Sequence, residues 1–373
     1  MEQLNAHLLF NGVRWKDAAI PGGGGMAAVK VLKSRVLMGD PPDVAQLIGA
    51  TLTEWNDMGM VMPLNAVASR HRWAQALFPT VMKLVTYKNV VIAAPLGIHR
   101  INTLFYNRRV FARMGLLPPA NWEEFELLAK KLSAQSIKPL AWSDEPWQIA
   151  TVFESLLLGE VGPERYRELI VQRSKWAWTD PRIEQALNRL RWLRNISGDT
   201  PKERTWTDST RDIASESAAM LIMGDWAKGE LMAWGESPEK DFGCAAVPGT
   251  QKMHLYSIDT LAMLWNKHQR TASQEKLAEL VVSAPVQLAY NRVKGSVPVR
   301  GDMDVMNLDS CARDSWTIFS TPGNALVPSL AHRMAADEAT KDAVAQTLWR
   351  YLITPSMPAK EAQQRLAAVV RAP

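Results

Sequence analysis

The sequence predicts an α/β protein divided into two lobes, and three observations carry that reading. Strand-like and helix-like segments alternate along the chain, as they do where helices cover sheets. The 373 residues exceed what one hydrophobic core organises. The apolar run Ala219-Met220-Leu221-Ile222-Met223 has buried-strand character and ends at Gly224, with Trp226 and helix-forming residues directly behind it. That arrangement holds a flat indole at the edge of a lobe. A ligand with one apolar face and a hydroxylated rim, such as a sugar, suits such a ring.

The elements follow in order. Ala27 to Leu37 repeats apolar residues at helical spacing. Val44 to Ile48 is a short strand after the turn Gly39-Asp40-Pro41-Pro42, and Val90 to Pro95 is another. Asn121 caps a helix from Trp122 to about Ser133. Ile137 to Trp142 is a strand. Helices fit Pro146 to Leu158, Pro163 to Val171 and Pro181 to Asn195. A short helix fits Thr210 to Ser217, with Asp208 or Ser209 as its N-cap, and Asp225 caps the helix behind Trp226. Ile258 to Trp265 is a strand, a helix runs through Gln274 to Ser283, and the C-terminal third is mainly helical. There is no internal repeat and no low-complexity tract.

Composition narrows the function. Hydrophobic residues at 47% and charged residues at 22% are ordinary globular values. Fifteen Trp against six Tyr is unusual; most of these rings belong in cores, and a few are left to line a cleft. The net charge of +5 is spread along mixed-charge helices, without a basic block or an aromatic RNA-binding signature, so nucleic acid is not the expected partner. No apolar run reaches the roughly 18 residues of a membrane helix. No Cys/His cluster has metal spacing, and no cofactor is expected. Gly22 to Gly25 precede a helix but lack the Lys-Ser/Thr of a phosphate loop and the third glycine of a dinucleotide site. They read as a flexible turn. Cys244 and Cys311 are either buried free thiols or, in an exported protein, a disulfide.

An ordered set of short segments then resembles the glucose/mannose-type, family 1 solute-binding proteins of bacterial ABC importers. The segments are Trp15-Lys16-Asp17, the four glycines, Val31-Leu32-Lys33-Ser34-Arg35 and Pro41-Pro42-Asp43-Val44-Ala45-Gln46. They continue with Ile92-Ala93-Ala94-Pro95, His99, Asn121-Trp122-Glu123-Glu124, Pro146-Trp147-Gln148 and Gly224-Asp225-Trp226-Ala227-Lys228-Gly229. Pro248-Gly249-Thr250, Asp259, Lys294-Gly295-Ser296-Val297-Pro298 and His332 complete the set.

The resemblance implies a two-lobed periplasmic-binding-protein fold with a ligand cleft between the lobes. One lobe is expected at 1–107 plus 259–312, the other at 108–258 plus 313–373. It implies a monomeric, non-enzymatic protein that captures a monosaccharide, closes on it and delivers it to inner-membrane ABC permease subunits. Gln46, His99, Trp226, Asp259, Lys294, His332 and Trp147 are the ligand-binding residues it implies. Trp226 supplies stacking, the polar side chains supply hydroxyl readout, and Trp147 is a further wall. Cys244 and Cys311 fall where relatives carry a bonded pair.

Two departures accompany the resemblance. Relatives have an N-terminal strand ending in a Trp-Trp segment and a Glu, whereas this chain opens inside the expected first helix at Leu4, Leu8 and Leu9, so the first lobe is expected to lack its first strand. Met1-Glu2-Gln3-Leu4-Asn5 has no signal-peptide character, while the resemblance implies periplasmic export. Leu104-Phe105-Tyr106-Asn107 stands where relatives often have another Trp, which leaves the sugar's identity open. Two rival readings share the cleft: a sugar sensor docking on a signalling receptor, and a carbohydrate-active enzyme using Asp225 and Asp259 as a carboxylate pair.

Overall fold

The computed structural model describes residues 14–16, 26–198, 203–267 and 270–371. The readings placed on Leu4, Leu8, Leu9 and the four glycines lie outside these residues. Ten strands occur among the described residues: β1 Val44–Leu47, β2 Thr86–Tyr87, β3 Val90–Val91, β4 Ala94–Arg100, β5 Thr103–Asn107, β6 Lys138–Leu140, β7 Ala218–Met223, β8 Phe242–Ala246, β9 Met253–Met263 and β10 Ala325–Pro328. Helices fill most of the intervals, which gives a two-domain α/β fold.

The chain divides into two compact units: residues 1–98, 258–293 and 297–307, and residues 99–257, 294–296 and 308–373. These bounds differ from those expected. The first crossing falls between Ile98 and His99 because β5 joins the sheet of the second unit, antiparallel to both β7 and β8. Residues 308–312 also belong to the second unit, where Asp309 pairs with Lys228 and Cys311 bonds to Cys244.

In the first unit, β1 runs antiparallel to the C-terminal half of β9, with Gln46 opposite Leu261. The Thr260 hydroxyl donates to the Leu47 carbonyl across this pair. Trp55, Trp73, Val81 and Val85 are buried within the same unit. Helix Ala284–Lys294 is fastened by Gln287, whose buried amide donates to the carbonyls of Pro95 at 3.2 Å and Leu96 at 3.0 Å and accepts from Val299 N at 2.9 Å. Such full satisfaction is what a buried amide requires.

The second unit is built on the sheet β6-β7-β5-β8, with β6 parallel to β7. β7 is buried at all six positions, which explains its unbroken apolar sequence. Helix Pro146–Tyr166 is the spine of this unit, buried continuously from Gln148 to Leu158 and packed with helices Arg182–Ile196 and Glu338–Ile353 around Leu156, Leu187, Leu190 and Leu348. The helices expected at Pro146 and Pro163 are two helical segments separated at Gly162, whose non-helical φ of 77° and ψ of 169° only glycine adopts without strain.

Several boundaries move for identifiable reasons. The strand expected from Ile258 starts at Met253, because Met253–Tyr256 pairs in parallel with β10. The segment Val90 to Pro95 splits into β3 and the start of β4. The helix expected from Thr210 spans Trp206–Ala214, and its N-cap is Thr205. Asp208 is the reciprocal partner three residues in: its carboxylate accepts from Thr205 N at 2.9 Å while Thr205 Oγ1 accepts from Asp208 N at 3.2 Å.

Candidate functional site

The end of β7 builds the candidate site. Gly224 lets the chain turn, and a Cβ placed there would fall 2.2 Å from the Trp226 indole. The glycine is therefore required by close approach: it seats the ring. Trp226 opens helix Trp226–Ala233 and stays half-buried.

Three other rings surround it within the second unit. His332 lies 4.8 Å from Trp226 between ring centroids, Trp147 lies 6.2 Å away, and His99 approaches edge-on at 5.6 Å. Trp206 adds an edge-on contact to Trp147 at 6.2 Å. Four of the seven residues implied by the resemblance are thus brought together: His99, Trp147, Trp226 and His332. Gln46 and Asp259 belong to the first unit, Gln46 exposed on β1 and Asp259 buried on β9. Burial raises the Tyr290 hydroxyl pKa, and the Asp259 charge beside it adds to the rise. Lys294 ends its helix exposed, next to Gly295. Gly295 sits so close to the helix behind Trp226 that a Cβ would fall 2.4 Å from the Asp225 carbonyl oxygen.

Asp225 occupies the N-cap position expected of it, but its side chain makes no capping bond. The carboxylate turns inward: Oδ1 lies 2.5 Å from His99 Nδ1, and Oδ2 accepts from Arg100 N at 2.9 Å. Buried at 6% exposure, it gains more from an imidazole and a buried amide than from a helix terminus.

His332 is held by an equally built network that sequence reasoning missed. Its Nε2 is 2.9 Å from Thr151 Oγ1, and that hydroxyl donates to the Trp147 carbonyl at 2.9 Å. The Thr hydrogen is thereby used, so Nε2–H of His332 is the donor to Thr151. One turn further along, the buried Glu154 carboxylate accepts from Ser329 Oγ at 2.6 Å, from Ala331 N at 3.2 Å, and from Leu330 N and the Tyr166 hydroxyl. Burial raises the Glu154 pKa, and these four donors oppose the rise. Trp147, Thr151 and Glu154 stand at i, i+4 and i+7, so they share one helix face. Thr151 and Glu154, a hydroxyl and a carboxylate inside the apolar run from Ile149 to Leu158, were the signal available in the sequence.

Cys244 on β8 and Cys311 on helix Ser310–Ser320 form a disulfide, with Cα atoms 5.4 Å apart and 67 residues of separation. Among the described residues no group of His, Cys, Asp and Glu could hold a metal ion, and no helix is long and apolar enough to cross a membrane.

Comparison with known proteins agrees with this architecture. The family described as bacterial extracellular solute-binding protein matches residues 4–287. A probable sugar-binding periplasmic protein of Brucella suis biovar 1 (strain 1330) is 31% identical over 374 residues, covering all of this chain and 88% of that protein. Among solved structures, the bacterial solute receptor AcbH, described as having an exclusive preference for β-D-galactopyranose, superposes with a TM-score of 0.82 at 18% identity, over 98% of this chain and 94% of that one. Maltose-bound MalE3 of T. maritima does so with a TM-score of 0.78 at 17% identity, over 99% and 95%. At these identities the two structures share the fold.

Proposed function

Because this chain belongs to the bacterial extracellular solute-binding protein family, we propose that it is the periplasmic sugar-binding component of an ABC importer. Its ligand is a monosaccharide, glucose or a similar hexose, which it delivers as a monomer to the membrane permease. The observation that carries this reading is the half-buried Trp226 indole flanked by Trp147, His332 and His99. Indole faces accept the C–H face of a pyranose, and the imidazole groups beside them supply hydrogen bonds to hydroxyls. The disulfide fits an oxidising compartment. Binding without catalysis is favoured because the Asp225 carboxylate is committed to His99 and the Arg100 amide. Gln46, Asp259 and Lys294 remain candidate hydroxyl partners on the family resemblance.

The test is calorimetric titration with a panel of hexoses and their deoxy analogues. One hexose should bind saturably without turnover, deoxy analogues should bind much more weakly, and Asp259→Asn should reduce affinity. Trp226→Ala should weaken binding by a few kcal/mol, as buried aromatic anchors do. Unchanged affinity in a folded Trp226→Ala protein would remove the ring from the site and sink this reading.

A further inference from the structure

Helix Trp226–Ala233, which carries the indole, is only eight residues long and has no side-chain cap, because the Asp225 carboxylate is committed to His99 and the Arg100 amide. So short a helix is held in place by its tertiary anchors rather than by itself. Its buried residues are Ala227, Lys228 and Leu231. Ala227 and Leu231 join the apolar cluster of Phe105, Leu221 and Phe242. Lys228 is different. Its side chain is 1% exposed, and Nζ donates to Asp309 Oδ2 at 2.8 Å. A buried ammonium requires such an anion, and the charge-assisted bond fixes a distance, which non-directional apolar packing does not.

Asp309 is itself fixed. Its other oxygen, Oδ1, accepts from Ala312 N at 2.9 Å and caps helix Ser310–Ser320. Two residues on, Cys311 bonds that helix to Cys244 on β8. One carboxylate therefore joins the helix of Trp226 to a helix that is covalently tied to the sheet. Lys228 stands two positions after Trp226, and residues at that spacing leave a helix on different sides. The lysine thus holds the helix from a side other than the ring's. We propose that Lys228 and Asp309 are positioning residues for the Trp226 ring: their ion pair sets where helix Trp226–Ala233 rests. The consequence for sugar affinity rests on Trp226 being the stacking ring of the proposed function; the placement of the ring does not.

The test uses the disulfide-bonded full chain labelled with fluorotryptophan. The fluorine resonance of Trp226 is the one lost in Trp226→Phe, and those of Trp55 and Trp73, buried in the first unit, are assigned in the same way. Asp309→Asn keeps an oxygen for the Ala312 cap and turns an NH2 toward the ammonium. Lys228→Met keeps an unbranched side chain and removes its charge. In both variants the Trp226 resonance should shift while those of Trp55 and Trp73 stay in place. Calorimetry with D-glucose, D-galactose and D-mannose should show several-fold weaker binding of whichever hexose the wild-type protein takes. The double variant leaves no charge unpaired, so it should be more stable than Asp309→Asn alone and still show the displaced resonance. A Trp226 resonance unmoved in the folded single variants overturns the proposal, as does one that returns to its wild-type position in the double variant, which would confine the pair to stability. If the single variants do not fold, the double variant decides on the same criterion. A displaced resonance supports the positioning role; if hexose affinity is then unchanged, or the wild-type protein binds none of the three, it is the proposed function that fails.

Discussion

His99 Nδ1 lies 2.5 Å from Asp225 Oδ1, joining the first residue of the second unit to the turn that carries Trp226. Both side chains are buried, so their contact is worth more than a surface pair. Asp225→Asn keeps the shape and removes the charge. It should cost about 1–3 kcal/mol of unfolding free energy in urea, the range for disrupting a buried charge-assisted bond. A loss below a few tenths of a kcal/mol would mean the contact contributes little.

Gly224 offers a cleaner probe of the ring, because it touches Trp226 from behind. Gly224→Ala puts a methyl group where the indole lies, 2.2 Å from its nearest atom. The ring must move, at about 1–3 kcal/mol for an overpacked site. Sugar affinity should fall with it, although position 224 supplies no side chain to the ligand. Calorimetry on a folded Gly224→Ala protein with unchanged affinity would show that the Trp226 position is not what binding requires.

Glu154 should control His332 from a distance. Glu154→Gln substitutes an amide NH2 for one acceptor oxygen facing Ser329, Leu330, Ala331 and Tyr166. At least one of these buried donors is left unmatched, which costs about 1–3 kcal/mol. The Ser329–His332 turn should loosen, visible as faster amide exchange at Leu330 and Ala331 than in the wild-type protein. Unchanged exchange would assign Glu154 a role confined to the helix.

His254 makes stability acid-sensitive. Its ring is fully buried, with Nε2 3.0 Å from Ser315 Oγ and Nδ1 without a partner. Burial first, and the Arg100 charge second, hold its pKa well below the ordinary histidine value. The unfolded chain therefore binds this proton near pH 6.5 while the folded chain does not. The associated stability is present above about pH 6.5 and is lost as pH falls, by up to about 1.4 kcal/mol per unit. Urea unfolding at pH 7.5, 6.5 and 5.5 should give a smaller acid loss for His254→Gln than for wild type. Equal slopes would place the acid sensitivity elsewhere.

The disulfide ties β8 to helix Ser310–Ser320 across 67 residues of chain. A double Cys244→Ser, Cys311→Ser protein should lose roughly 2–4 kcal/mol, mainly through a freer unfolded state. Equal denaturation midpoints with and without reductant would contradict this.

The sequence by itself determined which segments form elements. The apolar run of β7, the Asn121 cap and the helical spacing of Ala27 to Leu37 are local signals, and they were legible because propensity, capping and hydrophobic period act within a few residues. Ordered motifs also sufficed to place the chain in its family. What only the tertiary structure decided depends on partners remote in sequence. The Thr103–Asn107 strand belongs to the second unit because β7 and β8 pair with it from more than 100 residues away. Met253–Tyr256 is a strand because β10 arrives beside it. Asp225 looked like a helix cap, a local role, until folding brought His99 and the Arg100 amide to its carboxylate across 126 and 125 residues. Hydrogen-bond satisfaction in a buried site is decided among all groups that meet there, and a linear pattern records only those that are neighbours in the chain.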